Sequence, residues 1–352
     1  MSEHIGADLT GSRVATATLT TVAQLAGVSR QTVSNALNNP DLLRPDTLAR
    51  VLQVIEQVGY TPNRAARQLR SGESHLIGLR FEPAQEGTTN ALMDRFLHTL
   101  VDTTRKTGHH VLLFSGKPTD PLDGYDELLR QTAVDAFVIT DTYTGTPQAA
   151  WLQERGAPFV AFGRPWDDPA PSYPWVDVDG SAGASLATRH LLELGHEKIA
   201  WLGWERSSRI GEDRRTGWSA AMNRASRPTD GLGLRLTDNA DAARMAAHDL
   251  ISAGVLAFVC ASDTMGLGVL RAFEERHMVA GVDGAVVGFD DSAAAQVTGL
   301  SSVRQPLEEV AVEVVRLLRG ALAGEPSPTL GTVLTPKLAV RASSVRPAFQ
   351  AQ

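Results

Sequence analysis

Apolar side chains recur along this chain in two rhythms, and the rhythm changes once. Over the first sixty residues the spacing is helical. In TLTTVAQLAGVSRQTVSNALN, residues 18–38, Val22, Leu25 and Ala26 are expected to form one apolar face of a short helix, and Gly27 permits a sharp turn after it. Thr18, Thr20 and Thr21 offer cap oxygens ahead of that helix. Ser29 is placed to cap a second helix whose inward face is Val33, Ala36 and Leu37. Leu48, Val51, Leu52, Ile55 and Val58 then repeat at helical spacing, with Asp46 expected as the cap after Pro45 and Gly59 as the stop. Two short helices joined by a Gly-containing turn make a helix-turn-helix, and the third supplies a core they can share.

From His75 onward the rhythm is different. Short apolar runs at 75–81, 110–114, 136–140, 159–162, 198–203, 256–261 and 285–289 are expected strands. Amphipathic stretches at 90–107, 180–194, 213–224, 240–252, 262–276 and 307–323 are the expected helices between and after them. Strand–helix alternation predicts an α/β fold with parallel sheets covered on both faces. So many elements divide better into two lobes than into one sheet.

Composition narrows the class. The chain has 352 residues, too many for one ordinary core, and its 43% hydrophobic and 21% charged content is that of a globular protein. A single cysteine, Cys260, excludes a disulfide framework and a cysteine zinc site, and fits a reducing, cytoplasmic setting. Residues 1–12 carry Glu3 and Asp8 and lack an apolar core, so they do not read as a signal peptide; residues 1–17 are expected to be a disordered tail. No run approaches the roughly 20 apolar residues of a membrane span. GxxxxGK[ST], HExxH, GxSxG and a strand-following GxGxxG are all missing, and the histidines are scattered. An enzyme is therefore not expected, nor a cofactor or a catalytic metal.

The net charge of −7 argues against nucleic acid until it is divided along the chain. Between Arg13 and Gly72 stand seven arginines against Asp41, Asp46 and Glu56, an excess of +4, while residues 73–352 carry −9. A basic head on an acidic body is expected where only the head meets phosphate. The outward stripe of the second helix is more specific. Arg30, Gln31, Ser34, Asn35 and Asn38 fall on one face, with Thr32 beside them. Arginine pairs bidentately with guanine, and glutamine or asparagine with adenine, in the major groove. A merely solvated face would more often hold Glu and Lys.

Residues 61–74, TPNRAARQLRSGES, place arginines at 64, 67 and 70 around one apolar residue, Leu69. Asn63 to Arg70 could form a two-turn helix, but eight residues are too few to stay helical alone in water, so this segment is expected to order only on DNA. Leu69 then serves either as packing against a partner copy or as a wedge in the minor groove.

VAQLAGVSRQTVSNALN followed by GYTPNRAARQLRSG resembles the head and hinge of the lactose/galactose repressor (LacI/GalR) family of bacterial transcriptional regulators. The resemblance runs from about Thr18 to Arg341. It implies a three-helix head, a hinge helix and a two-lobed effector domain of the periplasmic-binding-protein type. It also implies a homodimer on double-stranded operator DNA. The implied DNA-binding residues are Thr18, Ser29, Arg30, Gln31, Thr32, Ser34, Asn35, Asn38, Tyr60, Asn63, Ala66 and Leu69. Asn35 and Leu48 stand where many members carry arginine, so the preferred half-site is expected to differ and one phosphate contact to be lost.

In open α/β sheets ligands sit outside the carboxyl ends of the strands. Gly163–Trp166, Trp204–Glu205, Ser262–Asp263 and Asp290–Asp291 occupy such exits. By resemblance EDRRTGW supplies the cleft arginine, Arg214; CASDTMGLG supplies Ser262; VVGFDD supplies Asp290; and Asn239 falls at a position often aromatic in relatives. Together with Trp166 and Trp204 these are the expected contacts of a small-molecule effector, a mono- or oligosaccharide. The alternatives are a purine or phosphorylated effector, or a cytoplasmic sugar-binding protein whose head contacts protein.

The expected organisation is a tail at 1–17, a helix-turn-helix domain at 18–62, a hinge at 63–73 and an effector domain at 74–345. The N-lobe is expected at about 74–175 and 305–335, and the C-lobe at about 176–304 and 336–345. The last ten residues lack a leucine heptad, so a dimer is expected and not a tetramer.

Overall fold

The computed structural model describes residues 17–61, 72–81, 91–117, 119–140, 147–166, 168, 170–205, 208–325 and 330–345. The chain divides into two units, Met1–Ser74 and His75–Gln352. The expected hinge residues Asn63, Ala66 and Leu69 lie outside the described residues, as does the tail up to residue 16.

The first unit holds α1 (Leu19–Ala26), α2 (Arg30–Asn38) and α3 (Pro45–Val58). Thr18 and Thr21 cap α1 reciprocally: the Thr21 amide donates to Thr18 Oγ1 at 3.2 Å and the Thr18 amide to Thr21 Oγ1 at 3.3 Å. Gly27 ends α1 at φ +63, a left-handed conformation that glycine adopts without strain. Val22, Ala23 and Ala26 of α1, Val33 and Ala36 of α2 and Val51 of α3 make the shared core. Two expected core positions fail, for Leu25 is 61% and Leu52 45% exposed. An eight-residue helix meeting two neighbours buries the narrow arc of Val22, Ala23 and Ala26, and Leu25 lies beyond it. The expected cap also differs. Pro45 is the first residue of α3, Arg44 precedes it without a side-chain cap, and Asp46 sits in the first turn, where its charge meets the helix dipole.

The second unit begins with β1 (Leu76–Arg80), α4 (Ala91–Lys106), β2 (His110–Phe114), α5 (Tyr125–Arg130), β3 (Ala136–Ile139), α6 (Pro147–Glu154), β4 (Phe159–Phe162) and β5 (Trp175–Val178). It continues with α7 (Gly180–Glu193), β6 (Ile199–Gly203), α8 (Arg209–Arg224), β7 (Gly233–Arg235), α9 (Ala240–Ser252), β8 (Ala257–Cys260) and α10 (Asp263–Glu275). Then come β9 (Ala285–Phe289), α11 (Ala293–Thr298), β10 (Ser301–Arg304), α12 (Leu307–Leu322), β11 (Gly331–Leu334) and β12 (Lys337–Ala339). These strands form two sheets, ordered β11-β5-β4-β3-β1-β2 and β12-β10-β9-β8-β6-β7. Among the described residues every strand pairing is parallel except β10 with β12.

Alternation along the strands explains the layering. In the first sheet Ile77, Leu79, Val138 and Val160 face α4 and α12, while Phe137, Ile139, Phe159 and Ala161 face α5 and α6. The second sheet is covered on both faces by α7 to α10, and all five residues of β6 and of β9 are buried. The chain passes between the lobes after β5, after β10 and after β11. Strand β5 belongs to the first sheet, so the first crossing falls at Asp179 and not between residues 175 and 176. The five strands without a sequence signal, β5, β7, β10, β11 and β12, have only three or four residues each. Unlike the equally short but wholly apolar β3, β4 and β8, these runs include polar residues or glycine, so they pair because the sheet already exists and not because their own pattern demands it. Among the described residues no helix is long and apolar enough to cross a membrane.

Candidate functional site

In the first unit, Ser29 accepts from the Thr32 amide at 3.0 Å and so sets the start of α2. Arg30, Gln31 and Asn38 are exposed and Thr32, Ser34 and Asn35 are half-buried along the helix. Gln31 Nε2 donates to Asn35 Oδ1 at 3.0 Å, which aligns two planar amides one turn apart on the outer face. Asn38 Nδ2 donates to the Ser34 carbonyl. Thr18 is exposed at its cap, and Tyr60 packs half-buried against the head core. Within residues 17–61, Arg30, Arg44 and Arg50 are balanced by Asp41, Asp46 and Glu56. The basic excess therefore resides on Arg13, Arg64, Arg67 and Arg70, outside the described residues.

In the second unit a cavity of about 600 Å³ opens where the carboxyl ends of both sheets converge. Its lining includes Gly163 and Trp166 after β4, Asp177 at the end of β5, Trp204 after β6 and Asp238 beyond β7. Ser262 after β8, Asp290 after β9 and Gln305 after β10 complete its polar wall. Leu92, Met93, Ile210 and Phe289 supply apolar surface.

Arg214 is the centre of that wall. Helix α8 starts at Arg209, earlier than expected, because Ser208 caps it, and this puts Arg214 in the second turn. The side chain is buried, with its guanidinium 3.7 Å over the Phe289 ring centroid and 5.0 Å from that of Trp204. Nη1 donates to the Ala261 carbonyl and stands 3.6 Å from Asp290 Oδ1, while Nε is buried without a partner. Asp290 Oδ1 accepts from Gln305 Nε2 at 2.7 Å. Its backbone is held at φ +107, a conformation costly for an L-residue, by the Asp290 amide donating to the Val303 carbonyl. Burial pushes the Asp290 carboxyl up to about 7, against the pull of Arg214. The same burial lowers the Arg214 guanidinium from its ordinary value, with Asp290 opposing it most.

A second cluster faces the cavity from the other lobe. Arg164 Nε donates to Asp177 Oδ2, Nη1 lies 3.9 Å from Asp213 Oδ1, and the guanidinium stands 4.8 Å from the Trp166 ring centroid. Burial raises both the Asp177 and the Asp213 carboxyls, with Arg164 opposing. The indole N–H groups of Trp166 and Trp204 are buried without a protein acceptor. Each lobe thus presents an arginine over a tryptophan whose N–H awaits an oxygen.

Of the residues anticipated from the sequence, Arg214, Asp290, Ser262, Trp166 and Trp204 come together in one cavity. Asn239 does not. It is exposed and caps α9, accepting from the Asp241 amide at 2.7 Å and the Ala242 amide at 3.2 Å. Its neighbour Asp238 lines the cavity instead and accepts from Ser262 Oγ. The helix start rotates residue 239 into the cap and leaves residue 238 facing inward. Asp291 and Asp263 are structural: Asp291 pairs with Arg341 and Arg304, and Asp263 takes the Ser302 hydroxyl at 2.6 Å and the Ser292 amide at 2.7 Å. Glu205 is exposed. Asp177, Asp213, Asp238 and Gln305 were missed. Asp213 was legible beside Arg214 in EDRRTGW, whereas Asp177 lies in β5 and Gln305 just after β10, strands that the apolar pattern did not reveal.

Comparison with known proteins places both units. The model of bacterial regulatory proteins of the lacI family matches residues 18–63, and the model of the periplasmic binding protein-like domain matches residues 188–344. The HTH-type transcriptional regulator CelR of Thermobifida fusca is 32% identical over 344 residues, covering 93% of this chain and 98% of its own. The HTH-type transcriptional regulator AglR of Rhizobium meliloti is 30% identical over 273 residues, covering 77% of this chain and 76% of its own. Among solved structures, a complex of CelR with cellobiose superposes with a TM-score of 0.70 at 30% identity, over 93% of this chain and 99% of that one. The lac repressor dimer bound to operator and the anti-inducer ONPF shares the fold, with a TM-score of 0.78 at 23% identity over 94% of this chain and 99% of that one. A helix-turn-helix head with a polar outer stripe, a two-sheet body with a cleft at its strand ends, and these matches lead to one assignment: the chain belongs to the lacI family of bacterial regulatory proteins.

Proposed function

We propose that this protein is a transcriptional repressor of carbohydrate uptake or catabolism genes. It binds palindromic operator DNA as a homodimer and changes its grip when a neutral sugar enters the cleft. The observation that carries the sugar reading is the charge and geometry of the cavity wall. Asp177, Asp213, Asp238, Asp263 and Asp290 line it, with Arg214 in the wall and Arg164 paired to Asp177 beside it. Burial raises Asp177, Asp213, Asp263 and Asp290, yet the wall still offers more carboxyl groups than arginines, which disfavours a phosphorylated effector. Carboxylates accept hydroxyl protons, the unpartnered indole N–H groups donate to hydroxyl oxygens, and Trp and Phe faces receive the apolar sides of pyranose rings. The relative CelR, solved with cellobiose, supports a β-linked or similar oligosaccharide as the first probe.

Arg30, Gln31, Asn35 and Asn38 read base edges in the major groove, with Thr18, Ser29, Thr32, Ser34 and Tyr60 toward the backbone. Asn63, Ala66 and Leu69 act in the minor groove. Sugar binding alters the angle between the two lobes and so the pairing of two hinges in the dimer. Such coupling amounts to about 1–3 kcal/mol in ordinary allosteric proteins. Nothing in this reading asks for catalysis.

The test is selection of the full-length protein on fragments of its own genome, followed by operator titration with cellobiose, maltose, raffinose and glucose 6-phosphate. A two-half-site sequence about one helical turn apart, whose affinity responds to a neutral sugar and not to the phosphate ester, is the expected outcome. A response to glucose 6-phosphate alone overturns the sugar reading. Binding that ignores salt overturns the DNA reading, since arginine–phosphate contacts weaken steeply with salt.

A further inference from the structure

We infer that His75, His109 and Asp135 form a binding site for one divalent transition-metal ion of the zinc, cobalt and nickel class. Each residue stands immediately ahead of a strand: β1 begins at Leu76, β2 at His110 and β3 at Ala136. The first sheet sets those strands side by side in the order β3-β1-β2. The three side chains therefore meet at the amino-terminal edge of a parallel sheet. The cleft lies at the carboxyl ends, so the sugar site does not account for them. One potential ligand atom from each lies within 4.8 Å of the other two, and among the described residues no other trio of His, Cys, Asp or Glu does this.

The local geometry is that of a prepared site. His75 holds φ +55, a left-handed conformation uncommon for a side-chain-bearing residue. It is pinned there on both sides. Its amide donates to Asp135 Oδ2 at 2.7 Å, and its carbonyl accepts from the His110 amide at 2.9 Å. Two imidazoles stand beside that carboxylate, their ring centroids 5.6 Å apart and edge to face.

His109 carries a further mark. Its Nδ1 is 3.2 Å from the Thr107 carbonyl, which favours the proton on Nδ1 and the lone pair on Nε2. Metal-bound histidines commonly hand their second ring N–H to a carbonyl in this way. All three residues are half-buried, so an ion can enter from solvent and water can complete its shell. Two imidazoles and a carboxylate without a thiolate suit borderline ions. Bonds of roughly 2.0–2.2 Å around a tetrahedral ion put ligand atoms about 3.3 Å apart. His75 is also the first residue of the second unit, so a bound ion would clamp the chain's entry into that unit to β2 and β3.

The experiment uses the tag-free full-length protein, stripped with chelator and titrated with ZnCl₂ by calorimetry and with CoCl₂ by visible absorption. Expected are one ion per chain, a raised Tm with zinc, and a cobalt d–d band. His109→Gln and His75→Asn should each weaken zinc at least tenfold and abolish the cobalt band. Asparagine accepts the left-handed backbone at residue 75, so this variant keeps the fold, as its Tm in chelator will report. His98→Gln, an exposed histidine on α4, should change nothing. No zinc binding by the unmodified chain, or binding that survives in both site variants, overturns the proposal.

Discussion

The Arg214 guanidinium stands 3.6 Å from Asp290 Oδ1 but gives its hydrogen bond to the Ala261 carbonyl, and Gln305 takes that carboxylate oxygen at 2.7 Å. The pair attract without closing on each other. Nε of Arg214 stays unpartnered in a buried setting, where an unmet donor costs about 1–3 kcal/mol. A ligand hydroxyl between the two would accept from the arginine and donate to the aspartate, relieving both. This relation supports Asp290 as the anchor of the proposed effector.

Removing that anchor should separate sensing from DNA binding. Asp290→Ala is expected to lower sugar affinity about 10- to 100-fold, the range for a hydrogen bond to a charged group. Operator affinity without sugar should change little. Calorimetry with the sugar and fluorescence anisotropy with operator DNA measure the two separately. A variant that still releases operator at the usual sugar concentration would place the effector elsewhere.

Acidity should act on the same residue in two opposite directions. Burial raises the Asp290 carboxyl from 3.8 to about 7, so between those values the folded chain holds a proton that the unfolded chain has shed. Its contribution to stability is fully present below 3.8 and is lost as pH rises through about 7. Sugar affinity should rise over that upper part of the range, because hydroxyl donors need the ionised carboxylate. Asp290→Asn should flatten both profiles, read by denaturant midpoints and by calorimetry across pH 5.5–8.

On the outer face of α2, Arg30→Ala should cost operator affinity about 1–3 kcal/mol and relax preference at one base pair, as loss of a bidentate guanine contact does. Gln31→Ala should act at an adjacent base pair, and its partner Asn35 is coupled to it through their 3.0 Å hydrogen bond. A double-mutant cycle at positions 31 and 35 on a panel of operator variants checks this. Equal losses on every sequence would instead assign these side chains to phosphate.

Helices α7 and α8 approach so closely that a Cβ on Gly217 would lie 1.9 Å from the Ser181 carbonyl oxygen. That oxygen is backbone and cannot swing away. Gly217→Ala should therefore destabilise the second unit by roughly 1–3 kcal/mol or more, with a lower urea midpoint. Gly320→Ala, where nothing lies within 4 Å, is the matched control and should be neutral or slightly stabilising.

How much of this was legible in advance differs between the two units. The head could be read almost residue by residue, because a helix-turn-helix is local. Its caps, turn glycine and inward face act within one or two turns of the chain, and only arcs shared among helices, as at Leu25 and Leu52, needed the packed structure. The charge argument was legible but misplaced. The basic excess belongs to Arg13 and the 64–70 segment, while the described head is neutral.

In the body, strands with continuous apolar runs, such as Ala136–Ile139 and Ala285–Phe289, declared themselves. Strands β5, β7 and β10–β12 did not, because pairing with an existing sheet, not their own composition, makes them strands. The cleft followed the same division. Arg214, Ser262 and Asp290 sit in motifs that sequence alone can present. Asp177, Asp238 and Gln305 join them only because parallel sheets bring distant strand ends together, and the choice of residue 238 over 239 was made by where α9 begins. Local rhythm specifies which segments are helices and strands. Convergence of side chains up to 128 residues apart, as Asp177 and Gln305 are, depends on strand order and helix phase, which only the assembled sheets decide.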